Sequence, residues 1–241
     1  MLTTIAFDAD DTLWQNEAFF RLTQDQFAKL LLGSGHLAGD APHDHLMERL
    51  LAAERRNLAY YGFGVKGFTL SMIETAIEVT NAQVSAQVIG QIVALGRDML
   101  EHPIELLPHV RDTVTKLARD YRVLLITKGD LLDQERKLAQ SGLGDLFDGV
   151  EIVSNKTPES YSAIFARHGT GADQGMMVGN SMKSDVLPAL SAGAWGVYVP
   201  HGIVWALEAA DAPDGHGRFH ALNHLGELPD LVSSLVYSYS M

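Results

Sequence analysis

The sequence predicts an α/β protein with a doubly wound parallel-sheet core and an inserted α-helical cap domain. In the second half of the chain, short apolar segments rich in β-branched residues alternate with amphipathic helical patterns, which is typical of a parallel sheet covered by helices. Roughly ninety residues of purely helical pattern separate the first strand from this region. We therefore expect core segments at residues 1–13 and 104–241 and a cap at residues 14–103.

The core begins with an apolar segment, residues 3–7, that predicts a central buried strand. Asp8, Asp10 and Asp11 follow at its carboxyl end, where open parallel sheets bind ligands. Side chains two residues apart in an extended chain share a face, so Asp8 and Asp10 can converge on one substrate atom or one cation. Crowded carboxylates repel unless a cation or a shared proton relieves them, which favours a functional cluster over a merely acidic, solvated turn.

The insert carries four amphipathic helical stripes between residues 14 and 103. A loop with three glycines, residues 33–42, separates the first stripe from the second. Four such helices bury their apolar stripes only against one another or against the core. The sequence therefore predicts a small helical bundle between the two core segments.

The sheet pattern resumes after the insert. It predicts alternating elements, namely helix 110–121, strand 121–127, helix 131–141, strand 150–153, helix 158–167, strand 176–178, helix 184–192 and strand 196–199. Residues 209–220, rich in Asp, Gly and Pro, predict a loop, and residues 222–236 predict one final helix.

Two of the later strand ends carry groups suited to an anion. Thr127 and Lys128 end a strand just before a helix, where a hydroxyl and free N–H groups can hold a phosphate. Lys156 lies before a helix start signalled by Thr157 as N-cap and Pro158 as first helical residue, so its ammonium group can neutralise phosphoryl oxygens. The alternatives are an ordinary helix cap at Thr127 and a solvent-exposed lysine at 156.

The strand predicted at 176–178 is followed by Gly179, Asn180 and, five residues further on, Asp185. Gly179 permits close approach of the backbone, and the carboxamide and carboxylate can both face a cation across the turn. The alternative is that Asp185 caps the next helix.

These motifs resemble those of the haloacid dehalogenase-like hydrolase superfamily, whose first motif is Asp-x-Asp-x-Thr after an apolar strand. Asp8, Asp10 and Thr12 match it, with Asp11 where many members carry Gly. The resemblance implies that Asp8 attacks phosphorus and that Asp10 is the general acid and base. True dehalogenases lack the second Asp, so Asp10 favours phosphoryl transfer. The helical insert occupies the position of the α-helical first-type cap of one subgroup.

The resemblance also assigns the later motifs. It implies catalytic roles for Asp8, Asp10, Thr127 and Lys156, phosphate binding by Thr127, Lys128 and Lys156, and Mg²⁺ binding by Asp8, Asp10, Asp185 and Asn180. The Asp10 ligand is its backbone carbonyl. Lys128 and Asn180 depart from the family pattern, which commonly has Asn and Asp there.

Composition limits the possible partners. The 241 residues include 18 Lys and Arg against 30 Asp and Glu, a net charge of -12, which disfavours nucleic acid and anionic membrane as partners. No cysteine is present, so disulfides and thiolate metal sites are excluded. With no signal peptide or apolar span visible, we expect a cytoplasmic monomer or homodimer acting on a small phosphorylated substrate.

The function predicted from these observations is a Mg²⁺-dependent phosphomonoester hydrolase that forms an aspartyl-phosphate on Asp8. A phosphomutase, a 2-haloacid dehalogenase and a non-catalytic binding relative remain alternatives. A receiver-type signalling module is disfavoured, because its phospho-accepting Asp lies at a middle strand and it needs no long helical insert after the first strand.

Overall fold

The computed structural model describes residues 1–35, 43–203 and 205–238. Its strands are β1 (Thr4–Phe7), β2 (Arg122–Lys128), β3 (Gly149–Val153), β4 (Gly175–Gly179), β5 (Trp195–Tyr198) and β6 (Phe219–Ala221). They form one sheet in the order β3-β2-β1-β4-β5-β6, and every pairing is parallel. The predicted fold class, a doubly wound parallel sheet with a helical insert, is confirmed.

Nine α-helices lie within the part of the chain that the structure describes. They are α1 (Glu17–Gly33), α2 (His43–Tyr61), α3 (Val65–Val79), α4 (Ala86–Glu101), α5 (Val110–Leu117), α6 (Leu131–Ser141), α7 (Pro158–His168), α8 (Leu187–Ser191) and α9 (Leu228–Ser238). None of the helices in the described ranges has the length and apolar character needed to cross a membrane.

The strand order places β1 at the centre of the sheet. The chain passes outward from β1 through β2 to β3, and then continues on the other side of β1 with β4, β5 and β6. The change of direction lies between β1 and β4, and open α/β sheets bind their ligands at the carboxyl ends of strands at such a point. All four residues of β1 are buried, as expected for a strand with a neighbour on each side.

The chain forms two compact units. The sheet unit comprises Met1–Glu17, Ile104–Lys128 and Gln134–Met241. Side chains alternate along β1, so Ile5 and Phe7 pack into one apolar cluster while Ala6 packs into another. The alternation therefore gives the sheet one core on each face.

The helical unit comprises Ala18–Pro103 and Gly129–Asp133. Its own core is formed by side chains from all four of its long helices, including Phe27, Leu50, Met72 and Ile92. The four predicted helices of the insert are thus present. Helix α1 ends at Gly33, and residues 36–42 of the predicted glycine-containing loop lie outside the described residues.

Several element boundaries differ from the prediction. Residues 219–221 form β6, although a loop was predicted to His220, because this three-residue strand is defined by its pairing with β5 and not by its own pattern. The predicted helix 184–192 is a π-helical turn, Met182–Val186, continued by α8. The predicted final helix begins at Leu228, after a short 3-10 turn.

Gly175, the first residue of β4, lies where helix α7 packs closely against the sheet. A Cβ at this position would lie 2.6 Å from the Phe165 ring of α7, so Gly175→Ala is expected to destabilise the protein by about 1–3 kcal/mol. Urea unfolding would measure the loss. Gly144→Ala is the matched control, because a Cβ there meets nothing within 4 Å, and equal stability of the two variants would contradict the prediction.

Candidate active site

The predicted site residues lie in the sheet unit, at or just beyond the carboxyl ends of four strands. Asp8 directly follows β1, Thr127 is the penultimate residue of β2, Lys156 lies between β3 and α7, and Asn180 directly follows β4. The helix start after Lys156 is well fixed, because Thr157 Oγ1 accepts from Ser160 N and Ser160 Oγ accepts from Thr157 N.

Lys156 joins two carboxylates from different strand ends. Its Nζ donates to Asp8 Oδ1 and to Asp185 Oδ1, the latter at 2.7 Å. Both side chains of the Lys156–Asp185 pair are 1% exposed. The second oxygen of Asp185 accepts from Ser181 N at 2.8 Å. A Cβ at Gly179 would collide with Asp185, so glycine permits this carboxylate to lie against β4.

The electrostatics of this triad follow from burial. Desolvation and the nearby Asp185 charge raise the pKa of Asp8 to about 7, against the opposing effect of Lys156. Desolvation alone would lower the pKa of Lys156, but the charges of Asp185 and Asp8 outweigh it and hold that pKa above its usual value. Lys156 is therefore a permanent positive charge beside Asp8.

The remaining oxygen of Asp8 faces a small polar cluster. Thr12 Oγ1 donates to Asp8 Oδ2 at 3.1 Å. The Asn180 carboxamide, in the orientation that satisfies its neighbours, has its nitrogen 3.2 Å from Asp8 Oδ2 and 3.2 Å from the Asp10 carbonyl oxygen. Asp11, which has φ 60° in the left-handed region, accepts from Asn16 N and Glu17 N at the start of α1.

The Asp10 carboxylate points to a different set of donors. Trp14 Nε1 donates to its Oδ1 at 2.8 Å, and Gln134 Nε2 donates to its Oδ2 at 3.0 Å. Lys137 Nζ lies 3.0 Å from Oδ1 and 3.2 Å from Oδ2. The side-chain oxygens of Asp10 are thus engaged by the protein, and its backbone carbonyl faces the Asn180 amide.

The predicted metal ligands differ in how well their contacts suit a cation. The described residues contain no cluster of three His, Cys, Asp or Glu side chains suited to a metal. Around the Asn180 carboxamide, however, Asp8 Oδ2 and the Asp10 carbonyl oxygen lie within 3.2 Å. With the carboxamide turned so that its oxygen faces the same two atoms, one carboxylate, one carbonyl and one carboxamide oxygen fit Mg²⁺, which keeps several waters and needs few protein ligands. Asp185 is engaged with Lys156 and Ser181 N instead.

Thr127 and Lys128 have different surroundings, although they are adjacent. Thr127 is 1% exposed, and its hydroxyl oxygen accepts from Gln134 Nε2 at 3.0 Å. Lys128 Nζ donates to Ser184 Oγ at 2.7 Å and to Glu208 Oε1 at 2.5 Å. The predicted phosphate-binding Lys128 is therefore paired with a carboxylate of its own.

Three residues of the site were missed by the sequence reasoning: Gln134, Lys137 and Glu208. Gln134 and Lys137 are three residues apart on α6, a spacing that puts both on one helix face, and this signal was available. Glu208 lies beyond the last predicted strand in a segment without periodicity, so nothing in the sequence indicates its contact with Lys128.

Comparison with known proteins identifies the class to which this fold and site belong. The family model described as haloacid dehalogenase-like hydrolase matches residues 2–193, so the chain belongs to that family of hydrolases. The predicted family and enzyme class are thereby confirmed. A crystal structure of a haloacid dehalogenase-like family hydrolase from Xanthomonas campestris is 43% identical, with a TM-score of 0.84, over 97% of this chain and 91% of that one.

Two more distant proteins are also similar. A glyceraldehyde 3-phosphate phosphatase from Methanocaldococcus jannaschii is 23% identical over 98% of this chain and 99% of its own length. A HAD hydrolase from Bacillus subtilis, whose structure was determined with bound magnesium, has a TM-score of 0.64 at 15% identity over 96% of this chain and 98% of that one. The second likeness concerns the fold alone.

The Lys128–Glu208 pair gives a pH-dependent prediction of stability. Desolvation raises the pKa of Glu208, but Lys128 and the hydroxyls of Ser181 and Ser184 outweigh it and hold that pKa below its ordinary value of 4.5. The folded state therefore favours ionised Glu208, which stabilises the protein above about pH 4.5 and ceases to do so as the pH falls through the lowered pKa.

Glu208→Gln is accordingly expected to lower the free energy of unfolding by about 1–3 kcal/mol at pH 7, with a smaller difference from wild type below pH 4.5. Urea unfolding at both pH values measures it. Glu135→Gln, at an exposed position on α6, is the control and should leave the free energy of unfolding nearly unchanged. A Glu208→Gln deficit that does not vary with pH would contradict the electrostatic explanation.

Proposed function

We propose that this chain is a Mg²⁺-dependent phosphomonoester hydrolase that acts through an aspartyl-phosphate on Asp8. The observation that carries the proposal is the position of Asp8, buried beside the permanently charged Lys156, with Asp10 two residues further on. A carboxylate held by a lysine, with a second carboxylate close by, suits nucleophilic attack followed by hydrolysis. The phosphatase activity of the archaeal relative supports the same reaction class.

The first step transfers the phosphoryl group. A carboxylate oxygen of Asp8 attacks phosphorus, the bond between phosphorus and the alcohol oxygen breaks, and Asp10, which enters this step as the protonated carboxyl group, gives its proton to that oxygen. Lys156 and the Thr127 hydroxyl stabilise the negative charge on the phosphoryl oxygens. Thr127 is prepared for this role because its oxygen already accepts from Gln134, which leaves its hydrogen for the phosphate.

The second step regenerates the enzyme. Asp10 takes a proton from a water molecule, whose oxygen attacks the phosphorus of the aspartyl-phosphate. The bond between phosphorus and the Asp8 oxygen breaks, and inorganic phosphate leaves. Mg²⁺, held by Asp8, the Asp10 carbonyl and Asn180, would shield the dianionic substrate from the anionic nucleophile. Lys156 provides the same shielding from the other oxygen of Asp8.

A charge count supports the need for a divalent cation. Four carboxylates, Asp8, Asp10, Asp185 and Glu208, face three lysine ammonium groups at the site. An incoming phosphate monoester adds further negative charge. We assign Lys156 to the phosphoryl group because its ammonium group lies against Asp8, the proposed nucleophile, whereas Lys128 contacts Glu208 and Lys137 contacts Asp10.

The catalytic assignment predicts different defects for the two carboxylates. Asp8→Asn should abolish turnover of p-nitrophenyl phosphate, because an amide is a poor nucleophile. Asp10→Asn should reduce turnover about 10²–10⁴-fold and let the phosphorylated enzyme accumulate, because water activation is lost. Phosphate release and intact-protein mass measure the two effects. Asp145→Asn, at an exposed position, is the control.

Several outcomes would reject this assignment. Undiminished turnover by Asp8→Asn would show that Asp8 is not the nucleophile. Release of chloride from 2-chloropropionate by wild type, without release of phosphate from any phosphomonoester, would favour the dehalogenase alternative. Transfer of phosphate back to a sugar phosphate in place of hydrolysis would favour a phosphomutase, and absence of any turnover would favour a binding relative.

The metal assignment predicts an effect of charge at residue 180. Asn180→Asp adds a carboxylate within reach of Asp8 Oδ2 and the Asp10 carbonyl, so the Mg²⁺ concentration for half-maximal activity should fall roughly tenfold. With chelator present, the same variant should melt at a lower temperature than wild type, because two close carboxylates repel. Unchanged Mg²⁺ dependence of both activity and melting would contradict the assignment.

A further inference from the structure

Helix α6 presents two polar side chains to the candidate site that are absent from the sequence motifs. Gln134 and Lys137 are three residues apart and share one helix face. Gln134 is 3% exposed, and the Lys137 side chain is 14% exposed. Burying an amide nitrogen and an ammonium group is costly unless they are paired, so the contacts of Gln134 Nε2 and Lys137 Nζ indicate what these groups do.

Gln134 contacts both the proposed acid–base residue, Asp10, and the proposed phosphate-binding residue, Thr127, through its side-chain nitrogen. Its Nε2 lies 3.0 Å from each of three acceptors: Asp10 Oδ2, Thr127 Oγ1 and the Lys128 carbonyl oxygen. Asp10 follows β1 and Thr127 lies in β2, so this carboxamide sets the distance between the acid–base carboxylate and the phosphate-binding hydroxyl. It also leaves the Thr127 hydrogen for a phosphoryl oxygen.

Lys137 holds the same carboxylate by a charged contact. Its Nζ lies 3.0 Å and 3.2 Å from the two Asp10 oxygens and donates to Asn16 Oδ1 at 2.8 Å. With Trp14 Nε1 on Oδ1, Asp10 is held by donors from two directions. A carboxylate fixed in this way has one orientation relative to the phosphorus attacked by Asp8, and proton transfer depends steeply on such placement.

We propose that Gln134 and Lys137 are positioning residues for phosphoryl transfer: Gln134 fixes Asp10 relative to Thr127, and Lys137 fixes the orientation of the Asp10 carboxylate. The inference rests on the proposed function. In this proposal both residues act through Asp10 and Thr127 and not by contact with the substrate. Their roles differ, because Lys137 positions Asp10 alone, whereas Gln134 positions Asp10 relative to Thr127.

The different roles give different kinetic signatures. Lys137→Met keeps the length of the side chain and removes its charge, so kcat should fall about 10–100-fold while KM and inhibition by inorganic phosphate stay nearly unchanged. Gln134→Leu should lower kcat and also raise KM and the phosphate inhibition constant, because Thr127 loses its partner. Lys137→Arg, which retains the charged contact, should recover much of the rate.

Matched controls separate these effects from general damage. Lys116→Met, at an exposed lysine of α5, and Gln140→Leu, at an exposed glutamine of α6, should behave like wild type. Far-ultraviolet circular dichroism and melting temperature report whether each variant is folded. A merely structural role of Lys137 would lower stability without the selective loss of kcat.

A double-mutant cycle with Asp10→Asn tests whether Lys137 acts through Asp10. If it does, Lys137→Met should have little further effect on the residual rate of Asp10→Asn, since the group that it positions is gone. An equal fold-loss in both backgrounds, or wild-type kcat for Lys137→Met alone, would overturn the positioning role and leave the phosphatase proposal standing. Wild type without phosphomonoester turnover would overturn the phosphatase proposal and this inference together.

Discussion

The ammonium group of Lys156, shared between Asp8 and Asp185, is the contact on which the rest of the site depends. Two carboxylates that reach the same nitrogen, one 7% and the other 1% exposed, would repel strongly without a cation between them. Because their combined charges keep Lys156 protonated despite its burial, the positive charge is permanent. It holds one oxygen of Asp8 and leaves the other to Thr12 and Asn180.

Sheet topology explains how residues so far apart in sequence meet there. Asp8 and Lys156 are separated by 148 positions, yet both follow strands of one parallel sheet, whose carboxyl ends lie along one edge. Asp8 follows the central strand, so the neighbouring strands place polar residues on both sides of it: Thr127 is in β2, and Asn180 and Asp185 follow β4. Gly179 lets Asp185 approach the strand closely enough to complete the contact.

The strand-end rule also explains what could be predicted from the sequence. Apolar strands and the polar residues after them are local patterns, so the fold class and the positions of Asp8, Thr127, Lys156 and Asn180 were readable from the sequence. The partner of a long side chain depends on tertiary packing, which local pattern does not encode. Lys128 contacts a glutamate 80 positions further on, and no local pattern around Lys128 indicates that contact.

Local sequence pattern also fails to indicate the tertiary contacts of β6 and α6. A three-residue strand has no periodicity of its own, so only its pairing with β5 reveals β6. The i, i+3 spacing of Gln134 and Lys137 puts both on one helix face, but amphipathic helices carry many such polar pairs, so the spacing alone does not mark these two residues. The contact of both side chains with Asp10 depends on tertiary packing, which the spacing does not indicate.

Asn180 shows how one neutral residue changes the electrostatics of the whole site. An aspartate there would add a fifth carboxylate opposite the same three lysines, next to Asp8 and the carbonyl of Asp10. The amide can donate to both of those oxygens, and with its carboxamide turned it can offer an oxygen to a cation. Hence the carboxylates at the site repel one another less than they would with an aspartate at position 180. Hydrogen bonds thus hold Asp8, Asp10 and Lys156 in place and take over part of the role that a cation has among repelling carboxylates.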